Sequence, residues 1–325
     1  MIALADIWIA VLCGIAVAIV ASLALAVAAP LMLRPLRRVA PGLRVAILIG
    51  MLSAPLLSGA VVAILVAFST HAWPLDLVTH HCHIDSAACA SHARADDTLL
   101  LTALGAGSLC AILLWFGLSF FGLISRSNQS QRLLRLASVS RLADAHVVQT
   151  PKPVALSAGL LRSETFVSDG LVRALDSKQL AVVMAHEEAH ARRRDGLFRL
   201  MGHLLSIGHL PWTQRLLMHE LELAQEQACD ALAAIAHGAI RTAETLLAVE
   251  RLKQAFGYKV PDACMAFGDA DIELRAHALL APRFFATGWS AAGFVLTMLA
   301  SALSLFIVSE PIHHELESIF LSNHH

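Results

Sequence analysis

The segment "HEEAH" at residues 186–190 carries the densest chemistry in the chain. On a helix, residues four apart lie one turn above each other, so His186 and His190 present two imidazoles to one point. Two imidazoles at that spacing can bind one Zn2+. Glu187 follows the first histidine and projects beside that point, not at it. There it would take a proton from the water at the ion's open position and pass it to a leaving amine. Zinc lowers the pKa of such a water towards ~7. Glu188 reaches solvent or a neighbouring arginine and is given no catalytic role.

A catalytic zinc site needs a third protein ligand, with the fourth position open. Glu222, Glu226 and Asp230 are spaced by four further along the chain and share one helical face. Glu222 reads as part of a solvated acidic stripe. Glu226 reads as the third ligand. Asp230, one turn later, reads as the acceptor of a hydrogen bond that orients a ligand histidine. His203, His209 and His219 are rivals for the third position. They lie in or near the apolar stretch "LFRLMGHLLSIGHLPW" and fit core or interfacial roles better.

Helices must position these groups. In "LDSKQLAVVMAHEEAHARRRDG", Asp176 is an N-cap with Gln179 three residues on, a capping-box start. Gly196 fits a C-terminal stop, and the arginines before it suit the helix dipole. A second helix, "HELELAQEQACDALAAIAHG", follows Pro211 and stops at Gly238. A third is expected across "TAETLLAVERLKQAF". A short helix is expected from Leu133 to about Arg141. "AHVVQT", "ALSAGLL" and "ETFVSDG" are strand candidates for a small sheet.

The rest of the chain is apolar. Of 325 residues, 57% are hydrophobic and only 15% charged, where a soluble domain has about 25% charged. The formal net charge is −1, so no basic field points to nucleic acid. No CxxC pair suggests a zinc ribbon, and Cys13 and Cys110 read as packing residues. Four runs lack Lys, Arg, Asp and Glu: Asp6 to Arg34, Arg44 to Asp76, Asp97 to Arg126, and Arg283 to Glu310. Each exceeds the ~20 residues that cross a bilayer as a helix. The first has no preceding Lys or Arg, so it reads as an uncleaved anchor and not a signal peptide. Of the 24 Lys and Arg, all but Arg94 fall on one side if the N-terminus lies outside, as the positive-inside rule predicts.

The expected organisation is a mainly α membrane protein. It has a three-span region at 1–125 with an outer loop at 76–97, and a cytoplasmic α+β zinc protease domain at 126–283. A fourth transmembrane helix at 284–309 and a short outer tail at 310–325 follow, with both termini outside the cell membrane.

HEEAH followed by "EQACD" (Glu226 to Asp230) resembles the integral-membrane antirepressor metallopeptidases of the BlaR–MecR kind, which are gluzincins. "GLLRSETFVSDGL", "AHEEAHARRRD" and "LPWTQRL" before "EQACD" are similar to that family's order of elements. The resemblance implies a bacterial inner-membrane enzyme. It implies His186, His190 and Glu226 as ligands of one Zn2+, Glu187 as the base, and Asp230 behind the ligands. It also implies a cytoplasmic protein substrate such as a DNA-binding repressor, with self-cleavage near 192–194 by the same analogy. This chain would not touch DNA itself. A homodimer is left open. The family's usual apolar residue is replaced by Glu188, and no penicillin-binding domain follows the fourth span, so a β-lactam stimulus is not carried over.

The outer loop crowds His80, His81, Cys82, His83, Cys89 and His92 together, and the tail adds His313, His314, His324 and His325. Imidazole and thiolate suit Cu or Zn, so an outer metal site is one reading. A Cys82–Cys89 disulfide and a merely polar loop are the others. Tyr258, the single tyrosine, is a candidate oxyanion donor. Two further functional readings stand beside the antirepressor protease. One is a quality-control membrane protease of the HtpX or prenyl-protease kind. The other is a non-enzymatic metal sensor or scaffold.

Overall fold

Runs with no charge have no reason to leave a bilayer and must satisfy their backbone internally, so they fold as helices. The computed structural model describes residues 4–69, 95–160, 163–256 and 272–280. Within them, α1 (Leu4–Leu36), α2 (Pro41–Ser69) and α3 (Ala95–Ala137) are long and apolar enough to cross a membrane. The chain is therefore read as a membrane protein. The expected fourth span, the outer loop at 76–97, the tail and Tyr258 lie outside the described residues, apart from the start of α3.

α1 and α2 form an antiparallel pair. A Cβ built on Gly14 would sit 2.5 Å from the Gly59 carbonyl oxygen, and one on Gly59 would sit 2.5 Å from that of Gly14. Membrane helices approach this closely only through small residues. α3 has 43 residues, about 65 Å at 1.5 Å per residue, roughly twice the hydrocarbon thickness. Its far end therefore runs on into the polar domain, where Arg135 Nε meets Glu164 Oε2 at 2.6 Å.

The helix expected from Leu133 to Arg141 is a correction. α3 continues to Ala137, and β1 (Ser138–Leu142) follows at once. Ala143 turns the chain with φ 50°, and β1 pairs antiparallel with β2 (Ala145–Val148). Ladder bonds to β2 decide the outcome, and no local pattern in "SVSRL" announces them. The other strand expectations fall where the strands are: β3 (Ala155–Ala158) and β4 (Glu164–Ser168). The sheet order is β1-β2-β4-β3, with β2 and β4 parallel and the other pairs antiparallel.

α4 (Asp169–Ala174) leads to α5 (Ser177–Arg193), the helix of HEEAH. α5 starts at the expected cap. The Asp176 carboxylate accepts from the Lys178 and Gln179 backbone N–H groups, and the Gln179 side chain accepts from the Asp176 N–H. Its end is a second correction. Gly196 does not stop it. Arg194 does, with φ 57° in the left-handed region, and Gly196 falls in the first turn of α6 (Asp195–Leu205). A left-handed arginine costs about 1–2 kcal/mol, and such strain persists where surrounding contacts over-determine it. Here it turns Asp195 back towards the site.

A 3-10 turn (Ser206–Gly208) joins α6 to α7 (Pro211–His237). α8 (Ala239–Ala255) and α9 (Ile272–Leu280) complete the described elements. One core packs the spans against α7: Ala29, Leu33, Leu48, Met51 and Leu52 share it with Leu217, Leu221 and Ala224. Another places the sheet on α5 and α8 through Val147, Val167, Val183 and Val249. So α5 lies between sheet and α7, and α7 lies between α5 and the membrane helices.

Removing the Asp176 cap should loosen the end of the helix that holds His186. Asp176→Ala is expected to lower stability by about 1 kcal/mol, read as a lower thermal midpoint in detergent. Asp176→Asn should leave the midpoint nearly unchanged. Equal midpoints for wild type and Asp176→Ala would show that the cap contributes nothing.

Candidate metal centre

The two turns of α5 that carry His186 and His190 face α7, and the face of α7 opposite them carries Glu226 and Asp230. All of these groups are buried. The Nε2 atoms of His186 and His190 lie 3.1 Å apart. His186 Nε2 is 3.4 Å from Glu226 Oε2, and His190 Nε2 is 3.4 Å from Glu226 Oε1. The structure thus brings His186, His190 and Glu226 to one point.

The outer ring nitrogens decide the tautomers. His186 Nδ1 lies 2.9 Å from Asp230 Oδ1, and His190 Nδ1 lies 2.9 Å from Asp195 Oδ2. Each Nδ1–H donates to its carboxylate, which leaves each Nε2 a lone pair aimed at the other. Two lone pairs and a carboxylate gathered within hydrogen-bonding distance repel unless a cation sits among them. Zinc–nitrogen bonds of ~2.0–2.1 Å in a tetrahedron separate neighbouring ligand atoms by roughly 3.3 Å, close to the spacings found. The residues present therefore fit a zinc ion, which His186, His190 and Glu226 would hold.

The electrostatics agree. Burial lowers the pKa of His190, but Glu226 and Asp195 outweigh it and raise it well above the ordinary histidine value. His186 is raised in the same way, by Asp230 and Glu226 against burial. Positive charge is favoured where the two rings converge. Burial pushes the Glu226 carboxyl up, yet Arg275 and His190 hold it well below the usual carboxylate range. Asp230 is likewise lowered, with Arg275 overcoming burial. Glu187 is different. Burial dominates there and raises its carboxyl above the ordinary value, against the pull of the two histidines.

Several residues of this site have no place in the sequence-based expectation. Asp195, five residues past His190, also receives Arg193 Nε at 3.3 Å and the Cys229 thiol at 3.3 Å. Burial pushes that thiol up to about 12, so it is a donor and not a thiolate. Arg275 on α9 donates to both Asp230 oxygens, at 2.8 and 2.7 Å, and its Nη1 is 3.1 Å from Glu226 Oε2. Arg199 on α6 pairs with Glu226 Oε1 at 3.2 Å and donates to Gln225 Oε1 at 2.8 Å. Lys253 on α8 is buried near Glu187 and Glu226, and burial lowers it to about 8. A signal for Asp195 exists in the sequence, an acid just past the end of the HEEAH helix. Arg275 has only the general rule that buried carboxylates need a cation.

The rival histidines do not join the cluster. His209 is buried with Nε2 3.1 Å from the Leu52 carbonyl, while His203 and His219 are exposed. Glu188 is exposed, and Arg192 lies 3.5 Å from it. Tyr258 and the outer His/Cys cluster lie outside the described residues.

Comparison with protein families finds that residues 124–288, just over half of the chain, match peptidase family M48. The chain belongs to that family. It is accordingly a zinc metallopeptidase that hydrolyses peptide bonds. The M48 match carries the coarser part of the resemblance noted in the sequence, a membrane metallopeptidase of the gluzincin kind, and does not reach the BlaR–MecR subtype. Comparisons with curated proteins and with solved structures each find no match.

For this M48 peptidase, the two Nδ1 partners should matter to the metal as much as to the fold. Asp230→Asn and Asp195→Asn are each expected to weaken zinc retention by about 10–100-fold, measured by chelator competition on the purified protein. Glu222→Gln should not change it. Unchanged zinc affinity in both Asp variants would overturn the assigned orientation of the histidines.

Proposed function

We propose that the chain is a regulatory endopeptidase of the cytoplasmic membrane face, cutting a cytoplasmic protein such as a DNA-binding repressor in response to an outside signal. The observation that carries this reading is the shared packing of α7. The helix that presents Glu226 is the helix that packs on the membrane spans α1 and α2. Three candidate spans precede HEEAH, and Cys229 of "EQACD" sits against Asp195 beside His190. Both support the antirepressor reading over a quality-control one.

The residues divide the work by position. His186 and His190 present bare Nε2 atoms because Asp230 and Asp195 hold their Nδ1–H groups. Glu226 adds a carboxylate kept ionised chiefly by Arg275, with Arg199 paired to its other oxygen. Zinc held there would polarise a scissile carbonyl and acidify an attacking water. Glu187 is buried beside the ligands, and its raised pKa brings it towards the range of a general base that works near neutral pH. It would accept the proton of that water and deliver it to the amine leaving group. Edge strand β3 packs beside α5 and has no strand neighbour on its outer side among the described residues. An extended substrate segment can pair there through its backbone.

Self-cleavage at 192–194 is the less favoured substrate reading. Arg192 and Arg193 are helical, and Arg194 pins the α5–α6 junction. An endopeptidase needs an extended segment, so α5 would have to unwind one turn from His190.

Replacement of Glu187 separates the readings. Glu187→Gln is expected to retain zinc and lose at least about 10^2-fold in proteolysis. In cells it should accumulate one uncut cytoplasmic regulator, visible by comparing proteomes with wild type. Accumulation of misassembled membrane proteins instead would favour the HtpX-like role. Unchanged signalling with proteolysis lost would favour a scaffold.

A further inference from the structure

The connection between α6 and α7 reaches well past the level at which the spans enter the bilayer. We infer that the α6–α7 hairpin is inserted into the membrane leaflet on the domain side, with its tip covered by lipid acyl chains. The inference rests on reading α1 and α2 as membrane spans.

The depth comes from α2. Arg44 lies at the domain end of that helix and is hydrogen-bonded to Gln227 of α7. The rise from Arg44 to Pro55 is about 16 Å at 1.5 Å per residue, roughly half of a ~30 Å hydrocarbon core. The hairpin tip meets α2 at that depth. A Cβ on Gly208 would lie 3.2 Å from Pro55 Cβ and 3.6 Å from Leu56 Cγ. His209 Nε2 is 3.1 Å from the Leu52 carbonyl oxygen and also reaches that of Met51. Pro55 has no N–H to give the Met51 carbonyl, so the helix leaves an acceptor unsatisfied there. A buried backbone acceptor inside hydrocarbon needs a partner. His209 brings a ring nitrogen to that turn of α2, 3.1 Å from the Leu52 carbonyl oxygen.

The surfaces of the hairpin fit this placement. Its inner face shares the core of the spans through Leu217, Met218 and Leu221. At the tip, Leu210 is 37% exposed and Trp212 is 47% exposed. Two large apolar side chains beside a span are unlike a solvated turn, and acyl chains are the cover available at that level. The polar exposed groups lie nearer the domain. Arg215 is one turn back from Trp212, and its stem can carry the guanidinium towards the headgroups. His203 and His219 stand on the outward face. The consequence for the enzyme is positional. α7 rises from near the bilayer midplane and delivers Glu226 at the level of Arg44, where the membrane ends. The centre would then act on peptide held against the membrane face.

Fluorescence quenching in proteoliposomes tests the placement, using Trp212→Phe and Trp115→Phe. Each variant subtracted from wild type isolates one indole, and both replacements are conservative. Trp115 is an exposed residue of the candidate span in α3 and reports on the membrane reading itself. The expected result is that lipids brominated along the acyl chain quench both difference signals, while aqueous iodide quenches neither appreciably. Acyl-chain quenching of Trp115 alone, with Trp212 open to iodide, overturns the inserted hairpin and leaves the spans in place. Quenching of neither indole by lipid overturns the span reading, and the inference with it.

Discussion

Two hydrogen bonds determine what this site can hold. Each histidine of HEEAH gives its Nδ1–H to a buried carboxylate, Asp230 for His186 and Asp195 for His190. Without those acceptors the rings could carry their protons on Nε2 and relieve one another. With them, the neutral rings turn two lone pairs towards each other at 3.1 Å, and positive charge between them, a proton or a metal ion, is favoured. The strain is local and electrostatic, and a divalent cation removes it. The remaining buried charges follow from this choice. Four carboxylates gathered in low dielectric would be untenable alone. Arg275 and Arg199 lie on Glu226 and Asp230, and Arg193 lies on Asp195. Glu187 instead feels the two histidines and Lys253, and its carboxyl is raised where those of Glu226 and Asp230 are lowered.

The strained Arg194 belongs to the same arrangement. Asp195 must turn back to reach a ring one turn earlier, and a regular helix carries it past that ring. Ending α5 in the left-handed region aims the carboxylate inwards. The thiol of Cys229 and the side chain of Gln225, which donates to the Asp195 carbonyl at 3.2 Å, then hold the corner from α7. A glycine at the junction would relax the backbone at the expense of that over-determination. This is why Gly196, placed where a helix stop is normally read, is not the stop.

What is legible in the sequence follows the range of the interactions. The capping box at Asp176 and Gln179, the shared face of His186 and His190, and the shared face of Glu226 and Asp230 are all set within one or two turns. Spacing alone reports them. The apolar runs report α1, α2 and α3 for the same reason. β1 reads as helix because its strand character comes only from the ladder with β2. Arg275 is silent because it lies 45 positions from Asp230, on a helix with no periodic sign of what it serves. Arg44 is silent for a like reason: its partner Gln227 is 183 positions away. Pairings of that length leave at most a charge that a buried neighbour must need.

Those long-range pairs tie the membrane to the metal centre. Arg37 pairs with Glu220, Arg44 with Gln227, and Gln227 donates in turn to the Leu274 carbonyl at 3.1 Å, one residue before Arg275. Gln227 is also the neighbour of Glu226. The turn between α1 and α2 is thus bonded to the ligand helix on one side of Glu226, and through Gln227 to the helix whose arginine keeps Glu226 and Asp230 ionised. Packed cores yield by discrete rearrangement and not by continuous deformation. A shift of α1 and α2 against the domain must therefore either break the buried Arg44 contact, which leaves a guanidinium without its partner, or carry α7 along. In the second case Glu226 moves relative to α5, and the three ligand atoms no longer converge. The geometry of the centre cannot be independent of the spans.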